Sequence, residues 1–142
     1  MPGRWIPRIL PKNAGKGMEK TLNSGSTRHR GMEGESEAAF ALQRKGMRVI
    51  GRNIRSGNGE IDLVLLHGDS LVFAEVKNWP AYGLENLQFS VNKKKQRRII
   101  ETAKYFLAAH REYNNRTIRF DIVFLQPGEP MVHLVSAFTE SK

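Results

Sequence analysis

The succession of apolar runs predicts a mixed α/β fold in the order α-β-β-β-α-β-β, one central sheet flanked by helices. Three observations predict it. Two segments carry a helical period, Glu35–Lys45 and Lys93–His110. Several short segments are apolar or alternating enough to be strands. Gly-, Asn-, Asp- and Pro-rich turn signals separate them.

The first helix is expected to turn Ala38, Ala39, Leu42 and Phe40 inward and to end at Gly46. Arg48–Arg55 sets Val49, Gly51 and Asn53 against Arg48, Ile50, Arg52 and Ile54, which reads as a strand. After the turn Ser56-Gly57-Asn58-Gly59 come two apolar strands, Glu60–Leu66 and Leu71–Lys77. A flexible stretch is expected from Asn78 to Gln88, because it holds Pro80 and Gly83. The second helix places Ile99, Ala103, Phe106 and His110 on one stripe. Arg119–Leu125 and Met131–Phe138 close the chain as strands, separated by Gln126-Pro127-Gly128-Glu129-Pro130.

Length and charge narrow the function classes. The 142 residues suit one domain, and 39% apolar composition supports a modest core. Lys and Arg number 23 against 14 acids, a net +9, which points to a polyanionic partner. Residues 1–30 hold seven of those basic residues and one acid, Glu19, leaving 16 basic and 13 acidic residues in 31–142. The chain is therefore expected to divide into a disordered basic arm, 1–30, and a folded domain, 31–142. The arm reads as a phosphate-attracting tail, a merely solvated one, or the product of a misassigned start upstream of Met18 or Met32. No cysteine is present, which excludes disulfides, a thiol nucleophile and sulfur-ligated zinc. A reducing cytoplasm is the natural compartment. No apolar run reaches the roughly 18 residues of a membrane span, so no membrane partner is expected.

The chemistry concentrates in one predicted hairpin. If Gly68-Asp69 is a two-residue turn, opposed residues have numbers summing to 137. Leu66 then faces Leu71, Val64 faces Phe73, Asp62 faces Glu75 and Glu60 faces Lys77, all on one side of the sheet. The other side, Ile61, Leu63, Leu65, Val72, Ala74 and Val76, is wholly apolar. Opposed carboxylates, with Cβ atoms about 4.5–5.5 Å apart, repel when both are ionised. Protonation of one, a nearby cation or a divalent metal would relieve them. Magnesium suits such a place because it takes hard oxygen ligands and few protein groups. The plainer alternative is a Glu60–Lys77 salt bridge, with Asp62 solvated at the sheet end.

These residues carry a resemblance. Asp62, twelve residues, then Glu75-Val76-Lys77 resembles the PD-(D/E)xK nuclease signature, with Ile61 in place of the proline. Gly34-Glu35, Ala38, Leu42, Gly46, Arg52-Asn53, Gly59-Glu60-Ile61-Asp62-Leu63 and Glu75-Val76-Lys77 look like the YraN-like family of endonuclease-like bacterial proteins. Lys95-Gln96-Arg97-Arg98, Arg119-Phe120-Asp121 and Ala137-Phe138 extend the match across residues 31–142. The resemblance implies a restriction-endonuclease-like core akin to archaeal Holliday-junction resolvases. It implies that Asp62, Glu75 and the backbone carbonyl of Val76 bind Mg²⁺, for which Mn²⁺ can substitute. Lys77 would position or activate the attacking water, and Glu35 would complete the acidic cluster. Trp79 stands where the family often carries a basic residue.

The remaining chemistry is subordinate to that site. Lys93, Lys94, Lys95, Arg97 and Arg98 crowd the start of the second helix, where cations oppose the helix dipole and invite an external phosphate. Lys95 and Arg98 are the preferred nucleic-acid contacts, with Arg52 and Arg55 gripping a second phosphate. Trp79 and Tyr82 could stack on an unpaired base. His29, His67, His110 and His133 are not placed for a metal-free mechanism, and Ser70 and Ser90 lack an activating partner. Arg119 and Asp121 read as strand-end ion-pair residues. The expected function is metal-dependent hydrolysis of DNA, branched or single-stranded. Alternatives are an RNA-directed nuclease and a nucleic-acid-binding accessory protein that cleaves nothing. A two-fold junction substrate would call for a homodimer.

Overall fold

A computed structural model describes residues 26–78 and 91–140, with side chains described from residue 34 onward. Its elements follow the predicted order. Helix α1 (Ser26–Arg44) precedes three antiparallel strands, β1 (Arg48–Ser56), β2 (Gly59–His67) and β3 (Ser70–Asn78). Helix α2 (Lys93–Ala109) and a short 3₁₀ turn (Arg111–Tyr113) lead to β4 (Thr117–Gln126) and β5 (Glu129–Phe138). The sheet order is β1-β2-β3-β4-β5. Only β3 and β4 run parallel, because α2 carries the chain back across the sheet between them.

Each face of the sheet is covered by one helix. Ala38, Ala39 and Leu42 of α1 pack with Leu63, Leu65, Val72, Ala74 and Val123. Ile99, Ile100, Ala103 and Phe106 of α2 pack with Val64, Leu71, Phe73 and Phe120 on the other side. The predicted α2 stripe is buried as expected, His110 included. Asn92 was missed as its cap: its side chain accepts from the Lys95 backbone N–H at 2.9 Å.

The hairpin register is the predicted one over its apolar part. Leu66 pairs with Leu71 and Val64 with Phe73, and Gly68 takes the positive φ of +57° that a two-residue turn needs. The last pair toward the open end is Leu63 with Ala74, so Asp62 and Glu75 stand just beyond the paired ladder.

Several expectations need correction. Helix α1 begins at Ser26 rather than Glu35 and so crosses the boundary expected at residue 30; residues 1–25 lie outside the described residues. Phe40 is 63% exposed rather than inward, because Ala38, Ala39 and Leu42 already complete the buried stripe. In β1 an irregularity between Val49 and Gly51 breaks the simple alternation, and Val49, Ile50 and Gly51 are all buried. Ile61 packs in the cluster under α2, not with Leu63 and Leu65 under α1. Asn78 closes β3 instead of opening a loop, and β5 starts at Glu129, so the last turn is tighter than expected. The rest of the expected flexible stretch falls within residues 79–90, with Trp79 and Tyr82, outside the described residues.

Candidate active site

The open end of the β2–β3 hairpin gathers carboxylates from three elements. Asp62 comes from β2 and Glu75 from β3, one step past the last paired residues. There the Asp62 side chain takes the place of a backbone acceptor: its Oδ2 accepts from the Val76 N–H at 2.7 Å. That bond fixes the carboxylate between the strands. Glu75 is itself buried, and it is close enough to Asp62 for a hydrogen bond between the two side chains.

Glu35 is delivered from α1. The helix can approach the sheet because residue 34 is glycine: a Cβ there would lie 2.9 Å from Leu125 Cδ1. The Asn53 side chain hydrogen-bonds the Glu35 carboxyl from β1, and Asn53 holds a left-handed φ of 53°. Such a conformation in a non-glycine residue persists where surrounding contacts over-determine it.

Like charges dominate the electrostatics. Burial first, then the neighbouring Glu75 and Glu35 carboxylates, push Asp62 well above the ordinary aspartate range, although the Val76 N–H pulls it down. Burial, then Glu60, raises Glu35 to about 7, against the Asn53 hydrogen bond and the Arg52 charge. Besides Arg52 next to Glu35, a cation reaches the cluster from α2: Lys95 Nζ lies 2.5 Å from Glu75 Oε2. Lys95 therefore points into the acidic site. Lys77 is two positions past Glu75 on β3, hence on the same face. It is half-buried and makes no ion pair or hydrogen bond with another described residue. The Glu60–Lys77 bridge does not form; Glu60 turns instead to Arg55, 3.6 Å away across the β1–β2 turn.

The cavity at this end is about 280 Å³, lined by Asp62, Glu75, Glu60, Lys95 and Arg98 with Asn58 and Gly59. Lys95 and Arg98, read from the sequence as nucleic-acid contacts, both line this cavity with the carboxylates, and Lys95 is spent there on Glu75. Arg52 sits elsewhere, against α1: its guanidinium donates to Ser36 Oγ at 3.2 Å and lies beside Glu35. Burial lowers the Arg52 pKa, and its Nε is buried without a hydrogen-bond partner among the described residues.

The donor set suits a hard divalent cation. Magnesium typically takes one or two carboxylates and keeps several waters, and Asp62 with Glu75 offers two. Their mutual repulsion is the situation a cation relieves. Among the described residues, no three acidic or histidine side chains converge tightly enough to enclose a metal by themselves.

A second charged cluster was only half visible in the sequence. Asp121, fully buried on β4, accepts from Arg119 Nε at 3.0 Å and from its terminal nitrogen at 2.9 Å. It also accepts from the Ser136 backbone N–H at 3.0 Å and lies 2.7 Å from His133 Nε2. Lys45 Nζ reaches the other ring nitrogen of His133 at 3.0 Å. Burial pushes the Asp121 carboxyl up, but the His133, Arg119 and Ser136 hydrogen bonds outweigh it and hold it below the ordinary range. Arg119 and Asp121 are ion-paired, as read from the sequence. The partnership of His133 with Asp121 had only one signal, a polar residue inside an apolar strand.

The hairpin end of this mixed α/β domain thus presents Asp-x₁₂-Glu-x-Lys with a glutamate from α1 near it. Over residues 34–125 the chain matches the family described as "Uncharacterised protein family UPF0102". It is 42% identical over 117 residues to a "UPF0102 protein" of Treponema pallidum subsp. pallidum, covering 78% of this chain and 92% of that protein. A "UPF0102 protein" of Alcanivorax borkumensis is 38% identical over 102 residues, covering 72% and 82% respectively. The chain belongs to the UPF0102 family, which is the YraN-like family that its motifs resemble.

Proposed function

We propose that this protein is a metal-dependent endonuclease that hydrolyses DNA phosphodiester bonds, at branched or single-stranded structures, in the cytoplasm. One observation carries the reading. Asp62 and Glu75 line one cavity together with the basic Lys95 and Arg98, and the Asp62 carboxyl, like that of Glu35 from α1 near it, has a raised affinity for protons. Buried like charges are costly to a fold, and clustered perturbed carboxylates in a cleft mark functional sites.

Asp62 and Glu75, with the Val76 carbonyl, would hold Mg²⁺ or Mn²⁺. When bound, such an ion stabilises the charge developing on the phosphoryl oxygens and acidifies a water. The chain's own residues supply the rest. The Val76 N–H keeps Asp62 oriented, so its carboxylate is placed before any ligand arrives. The ammonium of Lys77, unpaired among the described residues, is available to orient the attacking water. Glu35, near 7, is poised to accept a proton at neutral pH. Arg98, exposed on the cavity wall, meets the phosphate from the α2 side. No helix among the described residues is long and apolar enough to cross a membrane, so nothing there opposes a nucleic-acid substrate in solution.

A second reading has one observation in its favour. The Lys95–Glu75 ion pair already neutralises one of the two carboxylates. A protein that binds nucleic acid and keeps the acidic cluster only for structure would look the same there. Cleavage of labelled duplex, flap, four-way and single-stranded DNA in Mg²⁺ or Mn²⁺ separates the two. Cutting that requires metal and disappears in both Asp62→Ala and Lys77→Ala, with binding retained, supports hydrolysis. Binding of every form without cutting, unchanged in the variants, would leave the binding module, and RNA would be the remaining substrate to try.

A further inference from the structure

Beside the acidic cavity lies a larger one of about 680 Å³, between the β1–β2 turn and the outer face of α2. The two cavities share Asn58, Gly59 and Arg98 as a common wall. The turn can lie this close to the helix only because residue 59 is glycine: a Cβ there would fall 2.6 Å from the Arg98 backbone oxygen. The two cavities adjoin as a trough with Gly59 and Arg98 between them, acidic at the hairpin end and basic along the helix.

The outer face of α2 has its own pattern. Lys94, Arg97, Arg98, Lys104 and Tyr105 recur at helical spacing on the stripe opposite Ile99, Ala103 and Phe106. Lys94, Arg97 and Arg98 are exposed and form no ion pair with another described residue. Glu101 and Lys104 pair with each other at 3.9 Å, and Lys104 also meets Glu140. The unspent charge is therefore in the half nearest the acidic site. At the far end Tyr105 is 58% exposed, an aromatic ring with nothing to gain from facing water. Lys95 and Tyr105 are ten residues apart, about 15 Å along a helix axis.

We infer that this trough carries a single-stranded DNA segment leading away from the scissile phosphate. Lys94, Arg97 and Arg98 hold its backbone, and Tyr105 stacks on an unpaired base. A basic groove with one exposed aromatic side chain is the arrangement by which proteins hold single strands without reading sequence. A duplex keeps its bases stacked on one another and offers Tyr105 no face. The inference rests on the phosphodiesterase reading for its direction along the trough, and it narrows the substrate to a junction between duplex and single strand.

The test is binding of fluorescent DNA to the full chain in EDTA, with cleavage in Mg²⁺ measured separately. A duplex with a single-stranded tail is expected to bind more tightly than the same duplex with blunt ends. Tyr105→Ala should lose that preference, weakening tail binding about five- to a hundredfold with blunt-duplex binding unchanged. Tyr105→Trp should keep it. Arg97→Ala should weaken binding to tailed DNA and reduce its salt dependence by about one phosphate contact. Both positions, Tyr105 and Arg97, are exposed, so these variants are expected to fold. Equal tail preference in wild type and Tyr105→Ala would overturn the inference, as would tail binding seen with RNA but not DNA. Those results leave the hydrolytic reading standing if Asp62→Ala still abolishes cutting. Tyr105-dependent tail binding by a wild type that cuts nothing would instead overturn the hydrolytic reading and retain the trough.

Discussion

Asp62 and Asp121 are two carboxylates drawn into the same sheet and pushed in opposite directions. Asp121, on β4, is met by two nitrogens of Arg119, one of His133 and a backbone N–H, and stays more acidic than usual. Asp62, on β2, has one backbone N–H and the company of Glu75 and Glu35, and its pKa is raised. Both are desolvated, so burial alone cannot explain the difference. What differs is whether the fold supplies the countercharge. At Asp121 it does, and the cluster is structural. At Asp62 it does not, and the missing charge must come from a proton or a ligand. The same desolvation is compensated by countercharge in one region and left uncompensated at Asp62 in the other.

The largest expected effect breaks the structural cluster. Asp121→Ala would strand Arg119 and His133 with side chains 14% and 5% exposed, and should cost about 3–5 kcal/mol in urea denaturation. A loss below about 1 kcal/mol would show that the two regions are not different in kind. At the other cluster the signs reverse. Asp62→Asn should leave stability unchanged or slightly higher in the absence of divalent metal, since it removes a repelled carboxylate. Cleavage should nevertheless fall at least about a hundredfold. A strongly destabilised Asp62→Asn would instead mark a structural carboxylate.

Acid and base should then strain the two regions separately. The folded pKa of Glu35, about 7, lies above its ordinary 4.5, so its contribution to stability is full below pH 4.5 and is lost as pH rises to about 7. Allowing for solvent screening, the loss is about 1–3 kcal/mol in metal-free protein. Asp121, held low, contributes above its ordinary 3.8 and loses that as pH falls through its folded value. Thermal melts in EDTA should therefore decline toward both pH extremes, and Mg²⁺ should restore only the alkaline side. Restoration on the acid side, or none at all, would separate the cation from the Asp62 site. The smallest effect sharpens the comparison at its one exception. Lys95 is 44% exposed, so Lys95→Gln should cost no more than about 1 kcal/mol. Calorimetric titration should show tighter Mg²⁺ binding once the competing ammonium is gone; weaker binding would make Lys95 part of the ligand-holding machinery.

Much of this was legible because it is local. The Gly68-Asp69 turn fixes which residues oppose one another, and the register from Leu66–Leu71 to Val64–Phe73 follows from the two-residue period of strands. The α2 stripe follows likewise from the 3.6-residue period. The prediction failed where periodicity gives way. Pairing stops at Leu63–Ala74, so Glu60 and Lys77 never meet, and Glu60 is captured by Arg55 from the neighbouring strand. Phe40 fits a helical stripe on paper but faces outward, since the width of the buried face depends on what lies beneath it.

The sequence by itself determined the elements, their order, the hairpin register and the family, since each depends on spacing along the chain. Only the tertiary structure decided which charges meet. It brought Lys95 onto Glu75, Glu35 toward Asp62, and His133 onto Asp121. Lys95 is 20 residues from Glu75 and Glu35 is 27 from Asp62, whereas His133 is 12 from Asp121. Their meeting is set by how helices pack across the sheet, and Coulomb interactions are decided by the final distance and desolvation, which no pattern of residues along the chain encodes.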